Sequence, residues 1–186
     1  MTVKQRILNP VVAAIFAALV ALPLHALDAA KEAELLAQLT DPAVERWQRV
    51  ERELVGEWSK SGSAAMDLLL QRGRAAVQAG NIDAAIEHLT ALTDHAPEFA
   101  EGYNTRATAY YQAGRFGPAM EDIARTLALN PNHYGALSGL GLILEETGFD
   151  DRALAAFRAA HAIHPNQPGI KASLERLERK VAGLDI

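Results

Sequence analysis

The sequence predicts an all-α fold, a short solenoid of stacked helix pairs, and three observations carry that prediction. Prolines stand at Pro97, Pro131 and Pro165, glycines at Gly80, Gly114 and Gly148, and alanines at Ala85, Ala119 and Ala153, all in steps of 34 residues. A fourth column, Gly73, Ala107 and Gly141, is small throughout and keeps the same step. Between these columns the bulky residues recur at helical rather than strand spacing.

Each column has a physical task. A glycine that ends a helix takes the left-handed conformation at little cost, which assigns Gly80, Gly114 and Gly148 to helix C-termini. The residue before a proline is driven out of the helical region, so Pro97, Pro131 and Pro165 end the second helix of each pair. The small column marks close approach of two helix backbones. The columns Leu69/Tyr103/Leu137, Ala76/Tyr110/Leu144 and Leu89/Ile123/Phe157 supply the buried stripe.

Composition agrees. With 49% hydrophobic, 22% charged and only 6% aromatic residues, the 186-residue chain has a globular profile leaning to an Ala/Leu-rich helical protein. It has no cysteine, which excludes disulfides, thiolate zinc sites and a thiol nucleophile. The net charge of −5 lacks the basic footprint that a phosphate backbone requires, so nucleic acid is not an expected partner.

The N-terminus reads as an address. Lys4 and Arg6 precede the 12-residue apolar run Val11–Leu22, which Pro23 breaks. This is the layout of a secretory signal over residues 1–26 with cleavage after Ala26, and the run is shorter than the ~20 residues of a spanning helix. The alternative is an uncleaved anchor, the one route by which a membrane enters. Either way the chain is expected to be exported, into the periplasm or onto the inner membrane facing it.

Residues 27–65 are assigned to a non-repeat helical pair. Asp28 caps a helix from Ala29 to Leu39, and Asp41-Pro42 is a start signal for a second that runs to about Ser59. Val44, Trp47, Val50, Leu54 and Trp58 lie on one side of it. The pair is expected to cover the exposed face of the first repeat, with both tryptophans in packing. At the other end, residues 168–186 hold a capping helix whose stripe is Ile170, Leu174, Leu177 and Val181.

The 34-residue period, with these columns, resembles the tetratricopeptide repeat, a helix-turn-helix unit. Segments 66–99, 100–133 and 134–167 match in succession over 66–167, and the second, AEGYNTRATAYYQAGRFGPAMEDIARTLALNPNH, matches best. The resemblance implies a right-handed α-solenoid of three units with flanking N-terminal helices and a C-terminal cap. Two departures stand out. Asp150 occupies the position of an aromatic, for which Phe149 is expected to compensate. Arg72 and Arg106 share a column with Leu140, where an arginine can bury its stem and keep its head wet.

The resemblance also implies a concave groove lined by the first helix of each unit. Carried over by position, the first unit contributes Asp67, Leu70, Arg74 and Val77, and the second Glu101, Asn104, Thr108 and Tyr111. The third contributes Gly135, Ser138, Leu142 and Glu145. From these, Arg74, Asn104, Thr108, Tyr111, Ser138, Leu142 and Glu145 are the candidate partner-binding residues. Tyr111 is the foremost candidate, because a groove tyrosine offers contact area with little entropy loss. Leu70 and Ser138 stand where the family's clamp for a C-terminal carboxylate would want basic or amide groups, so a full clamp is not expected.

Catalytic signals are absent from the pattern. His161 and His164, spaced i, i+3, lack a third metal ligand and read as solvated. Gly139-Leu140-Gly141 is helix packing rather than a phosphate loop, and Glu145-Glu146 is a solvated face. No cofactor or metal is expected, and no enzyme. The expected function is a non-catalytic scaffold binding a peptide or helix of another protein; the alternative is a structural protein that self-associates into homo-oligomers through its repeats.

Overall fold

The computed structural model describes residues 24–183, with side chains from Ala29 onward, and the described residues form nine α-helices and no strand. The signal expected over 1–26 lies outside them apart from its last three residues, which open the first helix. These helices are α1 (Leu24–Thr40), α2 (Trp47–Trp58), α3 (Ala64–Gln78), α4 (Ile82–His95) and α5 (Ala100–Gln112). They continue with α6 (Phe116–Leu129), α7 (Tyr134–Glu146), α8 (Asp150–Ile163) and α9 (Pro168–Val181). None is long and apolar enough to cross a membrane.

The repeat columns meet as their chemistry requires. Gly80, Gly114 and Gly148 have φ of 74°, 68° and 81°, and each closes the first helix of a pair. The small column receives the bulky one. A Cβ on Gly73 would lie 2.5 Å from Leu89 Cγ, and one on Gly141 would lie 2.7 Å from Phe157 Cε2, so neither position tolerates a side chain. α3 pairs with α4, α5 with α6, and α7 with α8. The first helices lie side by side, α3 on α5 and α5 on α7, and each second helix also touches the first helix of the next unit. α3, α5 and α7 thus form one continuous inner layer.

The N-terminal pair departs from expectation three times. α1 already begins at Leu24, so Asp28 stands inside the helix and is not its cap. The segment 41–46 is turn, and α2 begins only at Trp47. Asp41 accepts from the Ala43 N–H at 2.9 Å within that turn and caps no helix, and the Asp41 and Pro42 carbonyls are taken by the Asn166 side-chain amide, at 3.4 and 3.2 Å. A tertiary bond thereby competes with helix propagation. The pair also leaves the exposed face of the first unit alone. Leu35, Leu39, Val50 and Leu54 bury instead with Tyr134, Ala160 and Ile170, against the third unit and the cap. Leu39 and Leu54 are fully buried, each contributing roughly 2 kcal/mol to this docking.

The reason lies in what each surface offers. The residues of α3 that match the inter-unit contacts Ala136, Leu140 and Ile143 of α7 are Leu68, Arg72 and Ala75, with Gln71 beside them, and all are exposed. Apart from Leu68, 44% exposed, that end is polar or small and solvates itself. The third unit presents apolar Tyr134, Ala160 and Ile163 beside two loop histidines. Trp58 stacks on His133 with ring centroids 4.7 Å apart, and its indole N–H donates to Glu32 Oε1 at 2.6 Å. Trp47 meets His164 edge-on at 5.3 Å.

Three further expectations are corrected. Phe149 is 52% exposed beneath Arg152 and does not stand in for the missing aromatic. Val181 is 44% exposed, so the cap's buried stripe is Ile170, Ser173 and Leu177 with Leu174 at its edge. The Arg106 head is not wet. It forks onto both Asp122 oxygens at 2.7 and 2.8 Å and donates to Thr93 Oγ1 at 2.7 Å, an ion pair whose side chains are only 15% and 7% exposed. The hydrogen bond to Asp122 holds the guanidinium above its ordinary pKa, against the opposing effect of burial.

Candidate functional site

The inner layer of α3, α5 and α7 has two chemically different ends. At the first, Glu101 is a buried hub. It pairs with Arg74, accepts from Thr105 Oγ1 at 3.3 Å and from the Asn104 amide at 3.3 Å, and meets His133 Nε2 at 2.8 Å. His133 Nδ1 accepts the Ala136 N–H at 3.1 Å and so caps α7. That bond leaves the imidazole proton on Nε2, which donates to Glu101. Burial works to raise the Glu101 carboxyl, but the His133 hydrogen bond and the Arg74 charge outweigh it and hold the group below the ordinary carboxylate range. Arg74 also donates to Ser59 Oγ at 3.0 Å, which ties the end of α2 to this hub.

At the other end α5, α7 and the start of α9 enclose a cavity of about 340 Å³. Asn104, Thr108 and Tyr111 reach it from α5, Ser138 and Leu142 from α7, and Gln167 from the α9 cap. Its floor is Ala107, Ile123, Ile143 and Ile170, all buried. Every lining residue is uncharged. Gly139 leaves room there, since the nearest atom to a Cβ at that position is Ile123 Cδ1 at 3.5 Å.

Of the seven groove candidates, then, five line one cavity and two do not. Arg74 belongs to the Glu101 hub, and Glu145 accepts a two-point contact from Arg176 of α9 at 2.9 and 2.6 Å. Leu70, also carried over to the groove, is 2% exposed and part of the core between the first two units. Tyr111 lies against Phe116, centroids 5.9 Å apart, and its hydroxyl donates to Glu146. That hydrogen bond, then burial, then the charges of Glu146 and Glu145 push the phenol up to about 12.

Sequence reasoning missed the residues that reach the site from loops and from the cap: His133, Tyr134, Gln167 and Ile170. A signal existed for two of them. His133 and Gln167 each stand three residues before the amide they cap, Ala136 and Ile170, and both are helix N-caps. The reading of His161 and His164 as solvated is corrected: His164 is fully buried between Trp47 and Tyr134, and His161 is half-buried. Burial pushes the His164 pKa down, and the Glu51 carboxylate at 3.4 Å opposes that push. Among the described residues no three His, Asp or Glu side chains group as metal ligands.

Comparison with known proteins places the array. The family model described as tetratricopeptide repeat matches residues 70–124 and 104–168. A TPR repeat-containing protein of Rhizobium etli is 34% identical over 134 residues, 72% of this chain and 66%, just under two thirds, of that relative. Among solved structures, the first TPR of Spaghetti (RPAP3) bound to an HSP90 peptide is similar with a TM-score of 0.61 at 23% identity, covering 64% of this chain and 95% of that one. The Sgt2 TPR domain from Aspergillus fumigatus gives 0.61 at 26% identity, covering 64% and 81%.

Proposed function

Because the chain belongs to the tetratricopeptide repeat family, we propose that it is a non-catalytic adaptor that holds a segment of another protein along the inner face of α3, α5 and α7. The observation that carries this reading is the cleft between α5 and α7, where five of the seven candidate residues converge on one cavity with a buried apolar floor. A concavity of this kind, apolar below and rimmed by a few polar groups, is the usual form of a binding site. The structural relative named above holds a peptide of HSP90, which supports a peptide as the class of occupant here. No nucleophile and base converge in the cleft, which supports binding over catalysis.

The periplasm is the proposed compartment, on the strength of Lys4, Arg6 and the apolar run that follows them. Self-association through the ends of the array has less support. One end is solvated by Gln71 and Arg72, and the other is covered by α9.

A photoreactive residue at Thr108, exposed on the rim, tests the reading in intact cells. We expect a crosslinked partner that disappears when Tyr111 is changed to Ala. A crosslink indifferent to Tyr111, or captured only by a second copy of this chain, overturns it. An alkaline phosphatase fused to the C-terminus tests the compartment, since that enzyme gains activity only after export.

A further inference from the structure

We infer that the cleft takes an internal protein segment that inserts one large apolar side chain between α5 and α7 and sets a lysine or arginine beside it against Glu146. The inference rests on the adaptor reading and specifies the partner's chemistry. Three features of the cleft carry it.

The first is neutrality. The lining of the 340 Å³ cavity contains no charged side chain, and two arginines of the surrounding helices are already paired: Arg74 of α3 with Glu101 and Ser59, and Arg176 of α9 with Glu145. A terminal carboxylate or an acidic residue would lose its water there without gaining a counter-charge. An apolar side chain loses nothing and covers Ala107, Ile123 and Ile143.

The second is the disposition of free polar groups. The side chains of Ser138 and Gln112 make no hydrogen bond among the described residues, and both border the cavity. They are a hydroxyl and an amide, the groups that pair with a peptide backbone running past an anchored side chain.

The third is the sign of the rim. Glu146 is exposed, accepts the Tyr111 hydroxyl and pairs with no cation among the described residues. Tyr111 lines the cavity, so this carboxylate stands within a side chain's reach of whatever occupies it. An incoming cation there gains a charge-assisted contact, and an incoming acid is repelled.

The test is selection of random heptapeptides displayed on phage and fused through their C-termini, so that none carries a free carboxylate, against the full chain. We expect selected sequences with one large apolar residue and a lysine or arginine within two positions of it. Resynthesised, these peptides should bind equally as C-terminal amides and acids. Ser138→Phe and Thr108→Trp, which fill the cavity from opposite walls, should each weaken binding by about tenfold or more. Glu146→Gln should weaken it by about threefold, the effect of one exposed charge pair. Thr108 is exposed, so its replacement leaves the fold intact if Ser138→Phe does not.

Enrichment of acidic peptides, or tighter binding of the free acid, overturns the specificity and leaves the groove standing as a binding surface. Peptides that answer to Tyr111→Ala but ignore both filling substitutions overturn the cavity as the anchor site. Peptides indifferent to all four substitutions overturn this inference and the adaptor reading together.

Discussion

The two ends of the inner face are built from the same repeat positions and behave oppositely. At the α3–α5 end the charged groups face one another: Arg74, Glu101 and His133 form a closed network that Trp58 covers. At the α5–α7 end the same register, one 34-residue step on, carries Thr108, Gly135 and Gln167, and the result is a cavity. The difference teaches that a charge on a concave face is not by itself a binding determinant. When two strong partners fall within reach, they consume each other, and recognition passes to the neutral residues left over.

The comparison breaks if the charged end proves dispensable. Glu101→Leu leaves Arg74 and His133 without their shared acceptor, and we expect a loss of about 3 kcal/mol in urea denaturation, the scale set by breaking a buried pair. Binding at the α5–α7 cavity should survive in whatever fraction stays folded. A stability unchanged within error would mean that the hub is ornamental. Trp58→Ala should cost about 2 kcal/mol, because a half-buried indole loses its stack on His133 and its bond to Glu32. Protection of α1 and α2 amides from hydrogen exchange should fall more than that of α5 and α7.

Acid should loosen the N-terminal pair α1 and α2 before it disturbs the array. His164 has its pKa lowered from 6.5 by burial, so the unfolded chain takes up the proton first. Its contribution is complete above about 6.5 and is lost as the pH falls from there towards the folded pKa. Glu101, lowered from 4.5, adds a second loss that begins below about 4.5 and continues through its folded pKa. Tryptophan fluorescence and helix content, followed together from pH 8 to 3, should therefore separate, with fluorescence changing first. Coincident transitions would contradict this order.

The smallest effect sharpens the neutral end. Tyr111→Phe removes one hydroxyl bond on a half-exposed side chain, and stability should change by no more than about 0.5 kcal/mol. Ultraviolet titration of the wild type should show a phenol ionising at about 12, and that step should be missing in the variant.

Much of the fold was legible because a repeat states its own geometry several times. Gly80, Gly114 and Gly148 mark helix ends by a conformation that only glycine adopts cheaply, and Gly73 and Gly141 mark contacts by the absence of a side chain. The site was legible in part. Periodicity places Asn104, Thr108 and Tyr111 on one helix face. It is silent about Gln167 and Ile170, which arrive from 56 or more residues away along the chain.

By itself, then, the sequence determined what is local and periodic: helix-pair stacking, the close-approach positions and the residues of each helix that face inward. Only tertiary structure decided what depends on two distant groups meeting. It sent α1 and α2 to the third unit and left the first unit's end to Gln71 and Arg72, joined Arg106 to Asp122, and locked Arg74 onto Glu101. The physical reason is that helix propensity and spacing act over a few residues, whereas charge pairing and apolar burial choose the best partner in space, wherever the chain supplies it.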